Sequence, residues 1–425
     1  MTPSSSAPRV VIVGGGVIGV SCAWFLAREG VRVTLLERGR LSREASFGNA
    51  GTVSAGHPPL NRPGRVGKAL RQMLDSTSPL YVKPRFDPAL AAWFAEFAAH
   101  CTWSHVSHCM DVMAPLGKEA LEWFDRLVSE EDLECGYRRE GYFDVCLTHE
   151  GLADARHEAD IIRGHGYHPE TLDGDELLRR EPALTPDVVG GVYFPEAATL
   201  DPYAFVMEMA ERARRLGADL REGVSVTRLL GDDRVHGAVT ADGERLEADA
   251  VVVATGPFSL DLLRRHGTRI AVQPGKGYHR DLPVGPGGAP PLRVACVLNE
   301  SSVFCTPMAG GIRFAGTMEF SGLNHVMRPE RLEQLTVAAG RYFPTLATDT
   351  ITSEWCGLRP VAADGLPIVG PLEGVEGLVV ATGHGMLGLT LGPVTGRMVR
   401  DWILSGGVPG PERALVPGRR QAGQK

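Results

Sequence analysis

Apolar and polar positions change period several times along the chain. Residues 9–13 (Arg-Val-Val-Ile-Val) form a β-branched run, the pattern of a strand buried on both faces. Glycines follow, and residues 17–29 are apolar at helical spacing up to Gly30, a residue suited to closing a helix. Residues 31–37 make a second apolar run that ends on Glu37. Strand, turn, helix and strand within about thirty residues make a βαβ unit. Further helices are expected over residues 88–103, 116–131, 151–164 and 201–216, the last with Asp201 as its cap and Pro202 in its first turn. Strands are expected over 142–147, 220–229, 250–254 and 378–381, and a hairpin over 303–308 and 312–317 around Ala309-Gly310-Gly311. A final helix is expected over 393–404. Residues 49–67 read as a Gly/Pro-rich loop, and the tail from Gly406 as frayed.

The first turn carries Gly14-x-Gly16-x-x-Gly19. Gly14 permits the tight turn, Gly16 lets the backbone approach a pyrophosphate, and Gly19 lets the helix pack on the strand. The helix N-terminus offers free N–H groups to the phosphates. Glu37 stands where a carboxylate can accept from adenosine ribose hydroxyls. The small-residue stretch Ala45 to Gly51 and the strand ending Ala254-Thr255-Gly256 favour a long, extended FAD over NAD. A second glycine pattern, Gly383-His384-Gly385-Met386-Leu387-Gly388, is followed by too little chain for another nucleotide fold. It is expected to lie against the flavin ring, with its helix N-terminus aimed at the pyrimidine edge.

The resulting fold class is α/β: a Rossmann-like FAD-binding domain with an interleaved mixed-sheet α+β substrate domain. The FAD domain is expected to combine residues 8–90, 199–272 and 350–405, and the substrate domain 91–198 and 273–349, with 406–425 a flexible tail. A chain of 425 residues is long for a single core. Composition narrows the function. Glycine is abundant, 52 residues, where about 7% is usual. The formal charge of −7 argues against a nucleic-acid partner. No apolar run is long enough to span a membrane, and residues 1–8 lack the pattern of a signal peptide. The eight cysteines include no Cys-x-x-Cys and read as reduced thiols, pointing to the cytoplasm. His105 and His108 could share a helix face, but with no third ligand in view no metal site is expected.

With these pieces placed, the sequence resembles the D-amino-acid oxidase superfamily, most closely its D-amino-acid dehydrogenase branch. The resemblance runs from Arg9 to about Leu404. It is carried by residues 14–30, by ASFGNAGTVSAG (45–56), QPGKGYH (273–279), WCGLRPVAADGLPIVG (355–370) and GHGMLGLTLGPVTG (383–396). It implies noncovalent FAD in a Rossmann-like domain, with a sheet-based domain covering the isoalloxazine ring. A Cys-x-Tyr-Thr attachment motif is absent near Cys356, which agrees with noncovalent binding. It implies oxidation of an amino acid by hydride transfer from Cα to flavin N5. The imine then hydrolyses to a 2-oxo acid and ammonia, and the electrons pass to a quinone-type acceptor. D-Proline or D-hydroxyproline is an alternative substrate, because residues 57–63 depart from the branch pattern. A sarcosine or glycine oxidase using O₂, or a non-catalytic flavoprotein subunit of a larger complex, are the other readings. Membrane or partner-subunit contact would be peripheral, at the inner face.

The resemblance also assigns residues. Around FAD it places Gly14, Gly16, Val17, Ile18, Gly19, Glu37, Arg38, Ser46, Asn49, Ala50, Gly51, Val226, Thr255 and Gly256. On the later loop it places Gly385, Leu387, Gly388, Leu389 and Thr390. Arg359 matches the position that holds the substrate carboxylate in glycine oxidases and borders the cofactor; its alternative is a structural pair with Asp364. Tyr278 is expected to close the substrate side of the ring, Lys276 to lie near the flavin, and His384 to contact flavin or substrate. No side-chain base is implied.

Overall fold

The structure is a computed structural model describing residues 7–73, 75, 77–267, 270–283, 292–346, 350–407 and 410–419. Two large sheets organise it. Among the described residues the first has six strands, in the order Ile368–Pro371, Leu378–Thr382, Ala250–Val253, Arg9–Val13, Arg32–Glu37 and Asp219–Glu222. All neighbours run parallel except Ile368–Pro371. The β-branched runs fill its centre, where Ile12, Val251, Val252 and Val253 are fully buried. One face packs on the helices Val17–Arg28, Trp103–Glu130, Pro202–Arg215 and Gly388–Ser405. The other face carries a small antiparallel sheet of Val226–Leu229, Gly237–Thr240 and Arg245–Glu247.

The second sheet is larger and mixed. It runs from Ser353–Ala362 through Val272–Pro283, Gly311–Phe320, Val303–Met308 and Ala295–Leu298 to Tyr142–Cys146, Gly190–Phe194 and Glu170–Asp173, with Leu80–Val82 paired on Gly311–Phe320. The expected hairpin is present, closed at Gly311, whose φ of +158° puts an added Cβ against Leu282 O. Arg313 ties this sheet to the first domain. It forks onto Asp281 at 2.9 Å and donates to the carbonyls of Phe47 and Asn49 at 3.1 and 3.0 Å.

Several expectations change. The strand Ser353–Ala362 and the short strand Leu80–Val82 belong to the second sheet, not to the dinucleotide side. Trp103–Glu130 is one helix that continues through Pro115 and joins the core beneath the first sheet. Gly117 allows that approach, since a Cβ there would sit 2.1 Å from Ala55 O. Residues 220–229 form two strands in different sheets. The expected loop over 49–67 contains the strand Thr52–Ser54 and the start of the helix Arg65–Gln72. The last helix begins a turn early, at Gly388. The tail is anchored as far as it is described: Leu415 is fully buried, and Arg419 forks onto the Asp364 carboxylate at 2.8 Å. Residues 408–409 and 420–425 lie outside the described residues.

Gly14 sets the closest approach between the first turn and the neighbouring strand. Its φ is +111°, and an added Cβ would meet Ala254 O at 2.5 Å. Overpacking at such a contact costs about 1–3 kcal/mol, to which the backbone strain adds. Gly14→Ala is therefore expected to lower the denaturant midpoint and the flavin content together. A wild-type midpoint with full flavin content would show that the close approach is not required.

Candidate active site

A cavity of about 1250 Å³ lies between the two sheets. Its first wall is the glycine turn, where Gly14, Gly15, Gly16, Val17 and Ile18 face it. Gly19 stands behind the wall, its Cα packed against Gly14 O, where a Cβ would come to 1.9 Å. The helix Val17–Arg28 has no side-chain cap of its own. Ser46 supplies one from the neighbouring loop, its Oγ accepting from Val17 N–H at 2.9 Å. Glu37 also faces the cavity; its carboxylate accepts from the N–H groups of Gly15 at 2.7 Å and Gly39 at 2.8 Å. Each oxygen keeps a second lone pair, which suits a ribose hydroxyl. Arg38 lies beside it, 3.8 Å over the Phe258 ring and paired to Glu44.

The groove continues along Asn49, Ala50, Val226, Thr255 and Gly256. Asn49 shapes its own turn by accepting from Gly51 N–H at 2.8 Å; Gly51 itself (φ +79°) sits behind, against Leu200 O. At the far end Gly385, Leu387, Gly388, Leu389 and Thr390 line the cavity. The helix Gly388–Ser405 opens there, also without a side-chain cap, so its positive end faces the cavity. Thr390 Oγ1 accepts from Ser54 N–H at 3.1 Å.

Arg359 is on the wall contributed by the second sheet. Its guanidinium lies across Gly277, where a Cβ would come within 2.1 Å of it. It donates to Thr317 O at 2.9 Å, and no carboxylate pairs with it among the described residues. Burial pulls its pKa down to about 10, which leaves it charged at neutral pH. Asp364, the alternative partner, is taken by Arg419. Thr317 is itself unusual: a β-branched residue at φ +63°, in a bulge where Thr317 and Met318 oppose Gly277.

Tyr278 does not close the ring side. Strand residues alternate faces, and Gly277 takes the cavity face. Tyr278 is 1% exposed in the opposite core and donates to Glu319 Oε2 at 2.7 Å. Lys276 shares that face, bonded to Asn324 Oδ1 at 2.6 Å and Val326 O at 3.0 Å. His384 does face the cavity, but its Nε2 is engaged with Thr395 Oγ1 at 3.0 Å.

Other wall residues were not singled out from the sequence as site residues. Trp355 is wedged over Gly48 and Gly357, each of which would drive a Cβ into its ring. The spacing Trp-x-Gly was the available signal. Asp144 is buried, held by Asn299 Nδ2 at 3.0 and 3.1 Å, and burial raises its pKa well above the usual carboxylate range. Glu158, by contrast, is kept ionised by Arg62 and Arg65. These groups become neighbours only through tertiary folding.

The sequence matches the family model described as "FAD dependent oxidoreductase" over residues 9–402. The chain belongs to that family. It is therefore an FAD flavoprotein, and the walls fit the cofactor. The glycine turn has no room for side chains, and both helix N-termini facing the groove lack caps of their own. Curated relatives of similar length include proteins named D-amino acid dehydrogenase. One from Methylobacterium radiotolerans is 36% identical over 94% of this chain and 96% of its own. One from Vibrio vulnificus is 30% identical over 93% and 95%. Among solved structures, glycine oxidase from Geobacillus kaustophilus superposes with a TM-score of 0.78 at 24% identity, covering 98% of this chain and all of that one. L-proline dehydrogenase from P. horikoshii gives 0.75 at 19% identity, covering 97% of both. These two likenesses establish the fold. No helix among the described residues is long and apolar enough to cross a membrane.

Two buried histidines give this family member a pH signature. Burial lowers His279 to about 4 and His384 to about 3. The unfolded chain protonates both near pH 6.5, so between about pH 6.5 and 4 it binds more protons than the folded one. Stability is therefore lost as the pH is lowered across this window, by up to about 1.4 kcal/mol per unit for each histidine. Denaturant midpoints at pH 7 and pH 5 should differ accordingly, and His279→Asn should flatten the slope. Equal wild-type midpoints would count against buried neutral histidines.

Proposed function

We propose that the protein oxidises a D-amino acid to an imine that hydrolyses to a 2-oxo acid and ammonia, or a cyclic imino acid such as D-proline or D-hydroxyproline to a cyclic imine that keeps its nitrogen. FAD, when bound, supplies the acceptor for the α-hydrogen and its electron pair, which then pass to a quinone-type acceptor. Contact with a membrane carrying such an acceptor is peripheral. The curated relatives' names support the substrate class. The observation that carries the reading is Arg359: a half-buried guanidinium on the cavity wall with no carboxylate partner among the described residues. Burying an unpaired charge is costly, and a substrate carboxylate would satisfy it bidentately.

The residues then divide the work. Arg359 holds the carboxylate, and Thr317 O and Gly277 fix where its fork lies. Gly14 to Gly19, Ser46 and Glu37 hold the dinucleotide end of the cofactor. The N-terminus of Gly388–Ser405 would offer its positive dipole end to negative charge on a reduced cofactor. His384, neutral and tied to Thr395, keeps that loop in place rather than moving a proton. Positioning dominates such chemistry, so no side-chain base is assigned.

Arg359→Leu should raise KM for the amino acid about 100-fold, the loss of roughly 3 kcal/mol from a charge-assisted pair, while flavin content stays at the wild-type level. Arg359→Lys should recover part of it. Anaerobic mixing with D-amino acids, D-proline and D-hydroxyproline should bleach the wild-type flavin. Bleaching by none of them, or an unchanged KM in Arg359→Leu, would refute the reading.

A further inference from the structure

Three successive carbonyls of the loop over residues 45–51 are held by the second sheet. Arg313 donates to Phe47 O at 3.1 Å and to Asn49 O at 3.0 Å, and the Nδ1–H of His279 donates to Gly48 O at 3.3 Å. Trp355 closes the same contact from a third strand. Its ring stacks on His279, with centroids 5.4 Å apart at 21°, and the two residues are direct partners across neighbouring strands. Gly48 and Gly357 meet opposite halves of its six-membered ring. A Cβ on Gly48 would lie 1.9 Å from Cε3, and one on Gly357 would lie 2.0 Å from Cζ2. The ring therefore touches both halves of the site. On one side Gly48 sits between Ser46, whose Oγ caps the helix Val17–Arg28, and Asn49 and Ala50 on the cofactor groove. On the other, Gly357 precedes Arg359 by two residues on one strand, so both take the same face. Of the three side chains on the loop, Trp355 alone shares a strand with Arg359.

We propose that Trp355 is a positioning residue: it fixes the offset between the carboxylate anchor and the cofactor loop, and so sets the rate of hydride transfer without setting the affinity for either ligand. The proposal rests on the amino-acid oxidation above. In that step the Cα–H bond breaks and its hydrogen leaves with both electrons to the flavin. The amine gives one proton to solvent, and a C=N bond forms. Without the indole, Arg359 keeps its own supports, Thr317 O and Gly277. The glycine turn keeps Ser46 and Glu37. Each ligand still finds its wall, and what is lost is the spacer between the walls. The donor carbon is held by one wall and the acceptor by the other, and a misplacement of about 1 Å can cost roughly 100-fold in rate. An indole suits a spacer, because it is rigid and only two side-chain torsions fix it.

The test uses the holoenzyme with Trp355→Leu, which removes the ring, and Trp355→Phe, which keeps a smaller one. Anaerobic stopped flow with a D-amino acid that bleaches wild type gives a limiting rate and a dissociation constant. In Trp355→Leu the limiting rate should fall about tenfold, with the dissociation constant and flavin content at wild-type values. Trp355→Phe should recover most of the rate. Deuterium at Cα should slow bleaching of Trp355→Leu at least as much as that of wild type, since hydride transfer then limits. Hydrogen exchange of the amides over residues 45–51 should speed up in Trp355→Leu. An unchanged limiting rate overturns the proposal. So does a loss wholly in the dissociation constant, which would make Trp355 a wall of the amino-acid site, or wholly in flavin content, which would make it a cofactor contact. If no amino acid bleaches wild type, the oxidation itself is refuted, and exchange still decides the spacer: unchanged exchange over residues 45–51 overturns it.

Discussion

A half-buried guanidinium, whose one hydrogen bond among the described residues goes to a carbonyl, sets the terms for the rest of the molecule. Low-dielectric surroundings make an uncompensated charge expensive, and the protein tolerates Arg359 through three local arrangements. Gly277 gives the planar group somewhere to lie. The bulge at Thr317 and Met318 turns a carbonyl onto it. Arg419 occupies Asp364, the acid that would otherwise be the obvious partner in sequence. Backbone strain at Thr317 persists because the flanking strands over-determine it.

The two sheets frame this site in different ways. The parallel sheet contributes backbone, through glycine turns and helix ends, as a dinucleotide requires. The mixed sheet contributes side chains. Arg313 joins the two by anchoring the 45–51 loop, through Phe47 O and Asn49 O, to its own strand, while its fork holds Asp281 on the neighbouring strand. Wherever the walls close on one another, glycine replaces a side chain, as Gly48 and Gly357 do around Trp355.

The cradle was legible because its determinants are local: glycine spacing, one strand on either side, and an acid at a fixed distance. Arg359 was legible through resemblance, and its isolation was not, since Arg419 lies far along a tail that looked frayed. Tyr278 misled because a motif names residues without giving strand parity; its neighbour Gly277 holds the cavity face. The helix Arg65–Gln72 was hidden within a Gly/Pro-rich stretch, where composition outweighs a short periodic signal. Of Trp103–Glu130 only the part after Pro115 was expected, since a proline ordinarily ends a helix. Here the packing of Gly117 on Ala55, with Tyr167 bonded to both Ala55 O and Ala114 O, overrides it. The strand Ser353–Ala362 joined the other sheet through pairing with Val272–Pro283, a contact eighty residues away that no local pattern encodes.

That strand has a consequence of its own. Trp355 faces the cavity near the cofactor loop, Arg359 provides the guanidinium, Pro360 O accepts from Gly385 N–H, and Val361 O accepts from Trp93. One ten-residue segment thus bears on three walls, so a shift along it perturbs all of them at once. The helices facing it bear on fewer. During divergence, the strand should behave as a fixed spine, and variation that changes what the protein accepts should accumulate in the helical walls opposite.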